Sequence, residues 1–233
     1  MSHTSSRDHI VETPRYSAYS YSGGVVGIAL KPHITDAVPQ TVKSSLPERD
    51  ELGNISQWVV ANATSETDTW RDWMKKLGKI IAKEVVREDL RRQGDRWTGD
   101  YERTLLAELP TDYILYVHKT QRAYDPRTDS YLYGSKYGMV FRSPAEFANH
   151  LIWLMNGSPL KRDGQPDCDC VYCDPSQTQL EISHKLGLRR KDPYTTSGKG
   201  VGAKKPRVRR KRSPSPASVP CKDYTKLNQQ KPS

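Results

Sequence analysis

Large apolar side chains are scarce in this chain. Two phenylalanines among 233 residues, a hydrophobic content of 35% and a mean hydropathy of -0.80, set beside 16 prolines, exclude a large and uniformly packed interior. One modest core with loose ends is expected. No stretch approaches the roughly eighteen consecutive apolar residues of a membrane-spanning helix, and MSHTSSRDHIVETPRYS at the N-terminus lacks the apolar centre of a secretory signal. The expected setting is therefore a reducing compartment, where clustered cysteines are more often metal ligands or catalytic thiols than disulfides. No His-x-Glu occurs anywhere, which removes the signature of zinc deaminases. GGVVG at 23–27 is not followed by Gly-Lys-Ser/Thr, so it reads as a turn rather than a phosphate loop.

Charge of one sign is also missing from most of the chain. Residues 1–188 hold 23 basic and 25 acidic side chains, so the formal net charge of +10 comes from elsewhere. Residues 189–212 alone carry eleven Lys or Arg against one acid. The segment 189–233 has no periodic apolar face and is expected to be a disordered basic tail. Within it Lys204, Lys205, Arg207, Arg209, Arg210, Lys211 and Arg212 form a cluster of the kind read by nuclear import receptors, which would also attract nucleic acid.

The organised part is expected over 63–188, with 1–62 largely disordered or an extended arm, apart from two short apolar runs at 25–30 and 55–60. From Asp68, the residues Trp70, Trp73, Met74, Leu77, Ile80, Ile81 and Val85 recur at spacings of three and four, which predicts a helix with Thr67 as its cap. Lys76, Lys79, Lys83 and Arg87 line another face, where Glu84 and Glu88 suit a solvated, ion-paired surface. Leu109-Pro110 ends this unit. Tyr113 to His118, Ser130 to Tyr133 and a short run from Met139 to Phe141 then read as a small antiparallel sheet. SPAE at 143–146 predicts a capping box: Ser143 as cap, Pro144 at the first helical position and Glu146 reaching back. Phe147, His150, Leu151 and Leu154 follow on one face, and Asn156-Gly157 supplies the stop. A further helical piece spans 180–188.

Three of the four cysteines fall within CDCVYC, residues 168–173. The spacing C-x-C-x2-C contains the knuckle interval that lets two thiolates approach one ion from a tight turn. Cys168, Cys170 and Cys173 leave one corner of a tetrahedron open. His150 is the leading candidate for it, because Gly157, Pro159 and Gly164 allow the chain to fold back onto the capped helix; His184 and Cys221 are the alternatives. Zinc is the expected ion, and a closed set of three sulfurs and one imidazole implies a structural role.

LGKIIA, LPTDYILYVHK, RTDSYLYG, FRSPAEFANHLIWL and CDCVYC together resemble the N-terminal transcription-silencing module of the fungal cryptic loci regulator 2 family. The resemblance implies a nuclear, non-enzymatic factor of heterochromatic gene silencing, associated with histone deacetylase and remodelling subunits. The stretch from about 109 to 156 is also similar to a methyl-CpG-binding domain. On that resemblance Asp129 and Tyr131 occupy the D-x-Y of the second strand, and Arg142 with Ser143 the F-R-S that opens the helix. Arg142 would then fork onto a guanine, with Arg122 or Arg127 of the preceding loop as a second reader. The alternative for Arg142 is a helix-start arginine paired with Asp129. The fold class expected is α+β: a small antiparallel sheet packed on helices, a structural zinc knuckle and a disordered tail. DNA and a silencing complex are the partners expected, with a protein adaptor that never touches bases as the alternative; neither a membrane nor a small-molecule substrate is expected.

Overall fold

The architecture is that of a computed structural model, described for residues 8–39, 43–51, 53–121 and 127–188. It is α+β, with two four-stranded sheets and helices. Among the described residues no helix is long and apolar enough to cross a membrane.

The first sheet is built mostly from the N-terminal region. β1 (Asp8–Glu12), β2 (Tyr16–Tyr21) and β3 (Val25–Leu30) form an antiparallel meander, and β6 (Thr104–Leu106) joins the far side of β3 in parallel, with Ile28 opposite Leu106. The expectation that 1–62 is largely disordered or an extended arm is thereby corrected over its described residues: Val11, Tyr16 and Ala18 are core residues, and the apolar runs at 25–30 and 55–60 are strands. The physical reason is long-range. The parallel partner of β3 lies far along the chain, and Tyr16, which counts as half polar in a sequence, is wholly buried because its hydroxyl donates to Asp89 at 2.9 Å.

The second sheet runs β4 (Glu48–Arg49), β5 (Ile55–Val60), β7 (Ile114–Gln121) and β8 (Arg127–Tyr133), all antiparallel. Strand alternation sends Leu115, Val117 and Leu132 inward. Trp58, Tyr116, His118, Tyr131 and Tyr133 lie on the other face, since Trp58 pairs with His118 and Tyr116 with Tyr131. The short strand expected at Met139 to Phe141 is not formed. Phe141 makes only a two-bond bridge with Leu132, and the turn before it is held by another segment: Val38 donates to Gly134 at 3.0 Å and Lys136 to Asp36 at 3.1 Å.

α1 (Thr67–Ile81) carries the expected apolar face, with Trp73, Met74, Leu77, Ile80 and Ile81 buried. Its cap is Glu66, in the left-handed region and without a side-chain cap bond, rather than Thr67. A π-helical turn over Ala82–Val86 leads into α2 (Arg87–Arg92), which ends well before Leu109-Pro110. Gly78 lets α1 lie directly on β6; a Cβ there would come within 2.4 Å of the Leu105 carbonyl carbon. Two lysines of the outer face are paired, Lys76 with Asp72 at 2.6 Å and Lys79 with Glu102, rather than with Glu84 or Glu88, and Lys83 lies over the Tyr101 ring.

α3 (Pro144–Met155) starts at Ser143, whose hydroxyl accepts from the Glu146 amide at 3.3 Å. The reciprocal arm of the expected capping box is displaced by one residue, because the Glu146 carboxylate accepts from the Arg142 amide at 2.7 Å. α4 (Gln179–Lys185) is closed by a complete box between Thr178 and Glu181. One apolar cluster joins both sheets to α1 and α3 and includes Cys168 and Cys170.

Candidate metal centre

His150 lies on α3, on the side that faces the core, and is wholly buried. Beyond the helix a left-handed Gly157 and a turn at Gly164, closed by the Leu160–Pro166 bridge, return the chain toward α3. Asn149 fixes the returning strand by donating to the Asp169 carbonyl at 2.8 Å, and Trp153 donates to the Pro159 carbonyl at 2.7 Å. The knuckle is then shaped by its own backbone: the Cys170 amide points at the Cys168 sulfur at 3.4 Å, and the Cys173 and Asp174 amides both donate to the Cys170 carbonyl. Tyr172 anchors the far side through its hydroxyl, which bonds the Val140 carbonyl and the Glu146 carboxylate.

This geometry brings four ligand atoms, one each from His150, Cys168, Cys170 and Cys173, within 4.8 Å of one another. His150 Nδ1 lies 3.7 Å from Cys168 Sγ and 3.9 Å from Cys173 Sγ. A tetrahedral ion with bonds of about 2.3 Å to sulfur and about 2.0 Å to nitrogen would set its ligands roughly 3.5 to 3.8 Å apart, so the donor set fits a metal ion. Phe141, Phe147 and Trp153 ring the imidazole, with centroids at 5.3, 6.1 and 4.9 Å, and close it from water.

The imidazole is oriented by a residue that sequence reasoning missed. Asp36 comes from the region taken as an arm and is 3% exposed; both its carboxylate oxygens stand 3.4 Å from His150 Nε2. Its remaining valences are filled by the Tyr113 hydroxyl at 2.6 Å and the Ser135 hydroxyl at 3.0 Å. Gly134 makes room for the Tyr113 ring, since a Cβ there would sit 2.6 Å from it. Such an outer carboxylate holds the Nε2 proton and leaves Nδ1 free to ligate. A lone aspartate in HITDAVP carries no signal of this role.

Burial works against charge on His150, yet Asp36 and the thiols hold it up to about 10, so an ion must displace the Nδ1 proton to bind there. Burial likewise opposes ionisation of Asp36, but His150 and Tyr113 hold its carboxyl below the usual value. Bonds from Cys168 and Cys173 pull Cys170 far below an ordinary thiol, and Cys168 rises in exchange as the donor to Cys170. The cluster therefore favours a thiolate, which is the form a metal needs.

The DNA-reading residues expected from the sequence fare differently. Arg127 pairs with Asp129 at 2.9 Å, so the aspartate is not the partner of Arg142. Tyr131 is half-buried against Trp58, ring centroids 5.4 Å apart. Ser143 is used as the helix cap, and Arg142 is exposed at the helix start. Arg122, Cys221 and the basic cluster Lys204, Lys205, Arg207, Arg209, Arg210, Lys211 and Arg212 lie outside the described residues. His184, on α4, is not one of the four grouped ligands.

Fold and site define a class: an α+β module clipped by one histidine and three cysteines able to hold a metal ion. Residues 104–173, from β6 to the last knuckle cysteine, match the family described as transcription-silencing protein, cryptic loci regulator Clr2. Cryptic loci regulator 2 of Schizosaccharomyces pombe (strain 972 / ATCC 24843) is 37% identical over 84 residues, which are 36% of this chain and 15% of that protein's length. A solved structure, that of Clr2 bound to the Clr1 C-terminus, resembles 56% of this chain and 30% of its own, at 24% identity and a TM-score of 0.39. Over the matched segment the chain is similar to that transcription-silencing family, and it spans only a small part of the length of the relatives it matches. All four candidate ligands fall inside that segment; Asp36 falls outside it.

Proposed function

We propose that this chain is a non-enzymatic, nuclear factor of heterochromatic gene silencing, and that His150, Cys168, Cys170 and Cys173 hold a structural zinc ion. The single observation that carries this reading is a closed donor set, three of its four residues buried and the imidazole ringed by aromatics, inside the segment that matches a transcription-silencing family. Three sulfurs and one imidazole suit zinc better than the hard, oxygen-seeking ions, and they leave no ligand position for an activated water. Zinc there supplies cohesion: it ties the loop after α3 to α3 itself. The chain's own residues do the rest. Asp36 orients the imidazole, Asn149 and Tyr172 hold the knuckle, and the rings exclude water.

The working surface is the outside of the second sheet together with the start of α3. Arg142 is free to approach DNA there, and the basic cluster at 204–212 would draw the module to phosphates and to the nuclear import machinery. A second reading is an adaptor that meets another subunit of a silencing complex with deacetylase and remodelling activities. It is favoured by the internal use of Ser143 and Asp129, which leaves fewer groups for base contacts. Duplex titrations of the full chain separate the two readings. If Arg142 reads a guanine, Arg142→Ala weakens binding by about 1 to 3 kcal/mol and flattens base preference; an unchanged titration leaves the adaptor.

A further inference from the structure

The outer face of the second sheet carries a group of rings, several of them set nearly at right angles to one another. Trp58 is centred among them: it stacks on His118 at 4.3 Å and meets Tyr116 and Tyr133 nearly at right angles, at 88° and 74°. Tyr116 and Tyr133 are likewise perpendicular, at 82°. Side chains of this kind usually turn inward, yet Trp58 and Tyr133 remain half-exposed. Flat, parallel rings would make a platform for stacked bases. Mutually perpendicular walls make a box, and a box of ring faces suits a compact cation.

The box already holds one. Lys43 is exposed, and its ammonium sits 5.6 Å from the Trp58 ring centroid and 5.2 Å from that of Tyr133. Among the described residues no carboxylate stands within ion-pair reach of that ammonium, so the rings are what it faces. The backbone amide of Lys43 donates to the Tyr116 hydroxyl at 3.3 Å. An extended segment can therefore register on this face with one main-chain bond and deliver its side chain into the box.

We infer that this box is a binding site for a methylated lysine on an extended peptide of another chain, and that Lys43 is an intramolecular stand-in for it. The preference for methylation follows from hydration. An unmodified ammonium is a compact, strongly hydrated point charge with three donors, and ring faces return none of the hydrogen bonds it gives up. A trimethylated ammonium keeps the charge, has no donors to strand, and presents methyl groups to the rings. Lys43 is thus a weak occupant that a methylated rival displaces. The site uses neither the metal ligands nor Arg142, so it can fail while the silencing reading stands.

The test is calorimetric titration of the full chain with a short peptide bearing trimethyllysine. The same peptide with unmodified lysine, and with a neutral tert-butyl isostere of equal shape, are the comparisons. The trimethyl peptide should bind about tenfold tighter than either. Lys43→Ala, a change at an exposed side chain, should tighten it further by several-fold, and Trp58→Phe should weaken it. Equal binding of the charged and neutral peptides, no response to Lys43→Ala, or no binding at all would overturn the inference. So would a single-stranded oligonucleotide that binds through Trp58 and Tyr133 while the peptide does not. Should Trp58→Phe lose its folded circular dichroism, the Lys43 variant and the isostere still decide.

Discussion

The knuckle at 168–173 and the strands at 8–30 both send side chains into one core, yet they are held in opposite ways. The knuckle has little apolar area of its own. Its order comes from a few short-range contacts: amides onto a sulfur and a carbonyl, Asn149 onto Asp169, and four ligand atoms that a metal ion can join. The N-terminal strands have no such cluster and rest on distant partners, β6 for β3 and Asp89 for Tyr16. Asp36 is where the two meet, since it belongs to the N-terminal region and touches the ligand His150. The comparison teaches that a candidate metal site need not be confined to the segment that supplies its ligand atoms.

The strongest way to break the comparison is to remove the metal. Zinc binding in sites of this kind is worth about 10 to 16 kcal/mol, comparable to the whole stability of a domain. Chelation, or Cys170→Ser, is expected to melt the module in one transition, measurable by circular dichroism alongside the metal content of the purified protein. The informative probe is amide exchange in β2 and β3. If those amides lose protection together with α3, the two regions are one cooperative unit, as the shared core suggests. Strands that stay protected after chelation would show two separable halves, and a protein isolated without zinc would remove the structural role altogether.

The same contrast explains what could be read in the chain. The candidate ligand group was legible because knuckle spacing is a local constraint: the positions of Cys168, Cys170 and Cys173 are fixed by a tight turn, and His150 sits on a helix whose start is written in Ser143 and Pro144. Within the second sheet the β7–β8 pair was legible for a similar reason, as Ile114 to Gln121 and Arg127 to Tyr133 are neighbours in sequence, whereas β4 and β5 were not placed in it. β1 and β2 were not legible, because a strand of Tyr, Ser and Ala looks like a polar linker until its partner is known. β6 is three residues long and gains its place only from β3 and from the bare backbone of Gly78. Asp36 was invisible for the deepest reason. A buried carboxylate is defined by the groups around it, and its partners Tyr113, Ser135 and His150 all lie far along the chain from it.

A gentler change sharpens the link between the regions. Asp36→Asn keeps the shape but removes the charge that holds the His150 proton. Outer carboxylates of this type are worth about 10- to 100-fold in metal affinity, roughly 1.4 to 2.7 kcal/mol. Competition against a chromophoric chelator should show a loss in that range while the far-ultraviolet spectrum stays native. Unchanged affinity would mean that the N-terminal region packs beside the site without orienting it.

The smallest expected effect concerns Tyr172, which pins the knuckle to α3. Its phenol is pushed up to about 12 from an ordinary value of 10.0, first by burial and then by the neighbouring Glu146 carboxylate. In the unfolded chain the phenol ionises near 10, so between about pH 10 and 12 the unfolded state sheds a proton that the folded state keeps. Stability must therefore be intact below 10 and fall as pH rises through that window. The ring is 42% exposed, and solvent screening keeps the slope shallow. Denaturant midpoints measured from about pH 9 to 12 should fall less steeply for Tyr172→Phe than for the parent chain. Tyr16 makes the matching probe in the N-terminal region, since burial and Asp89 raise its phenol as well. If Tyr16→Phe flattens the alkaline slope and Tyr172→Phe does not, the knuckle holds without its tyrosine pin, and the ligand sphere alone accounts for its order.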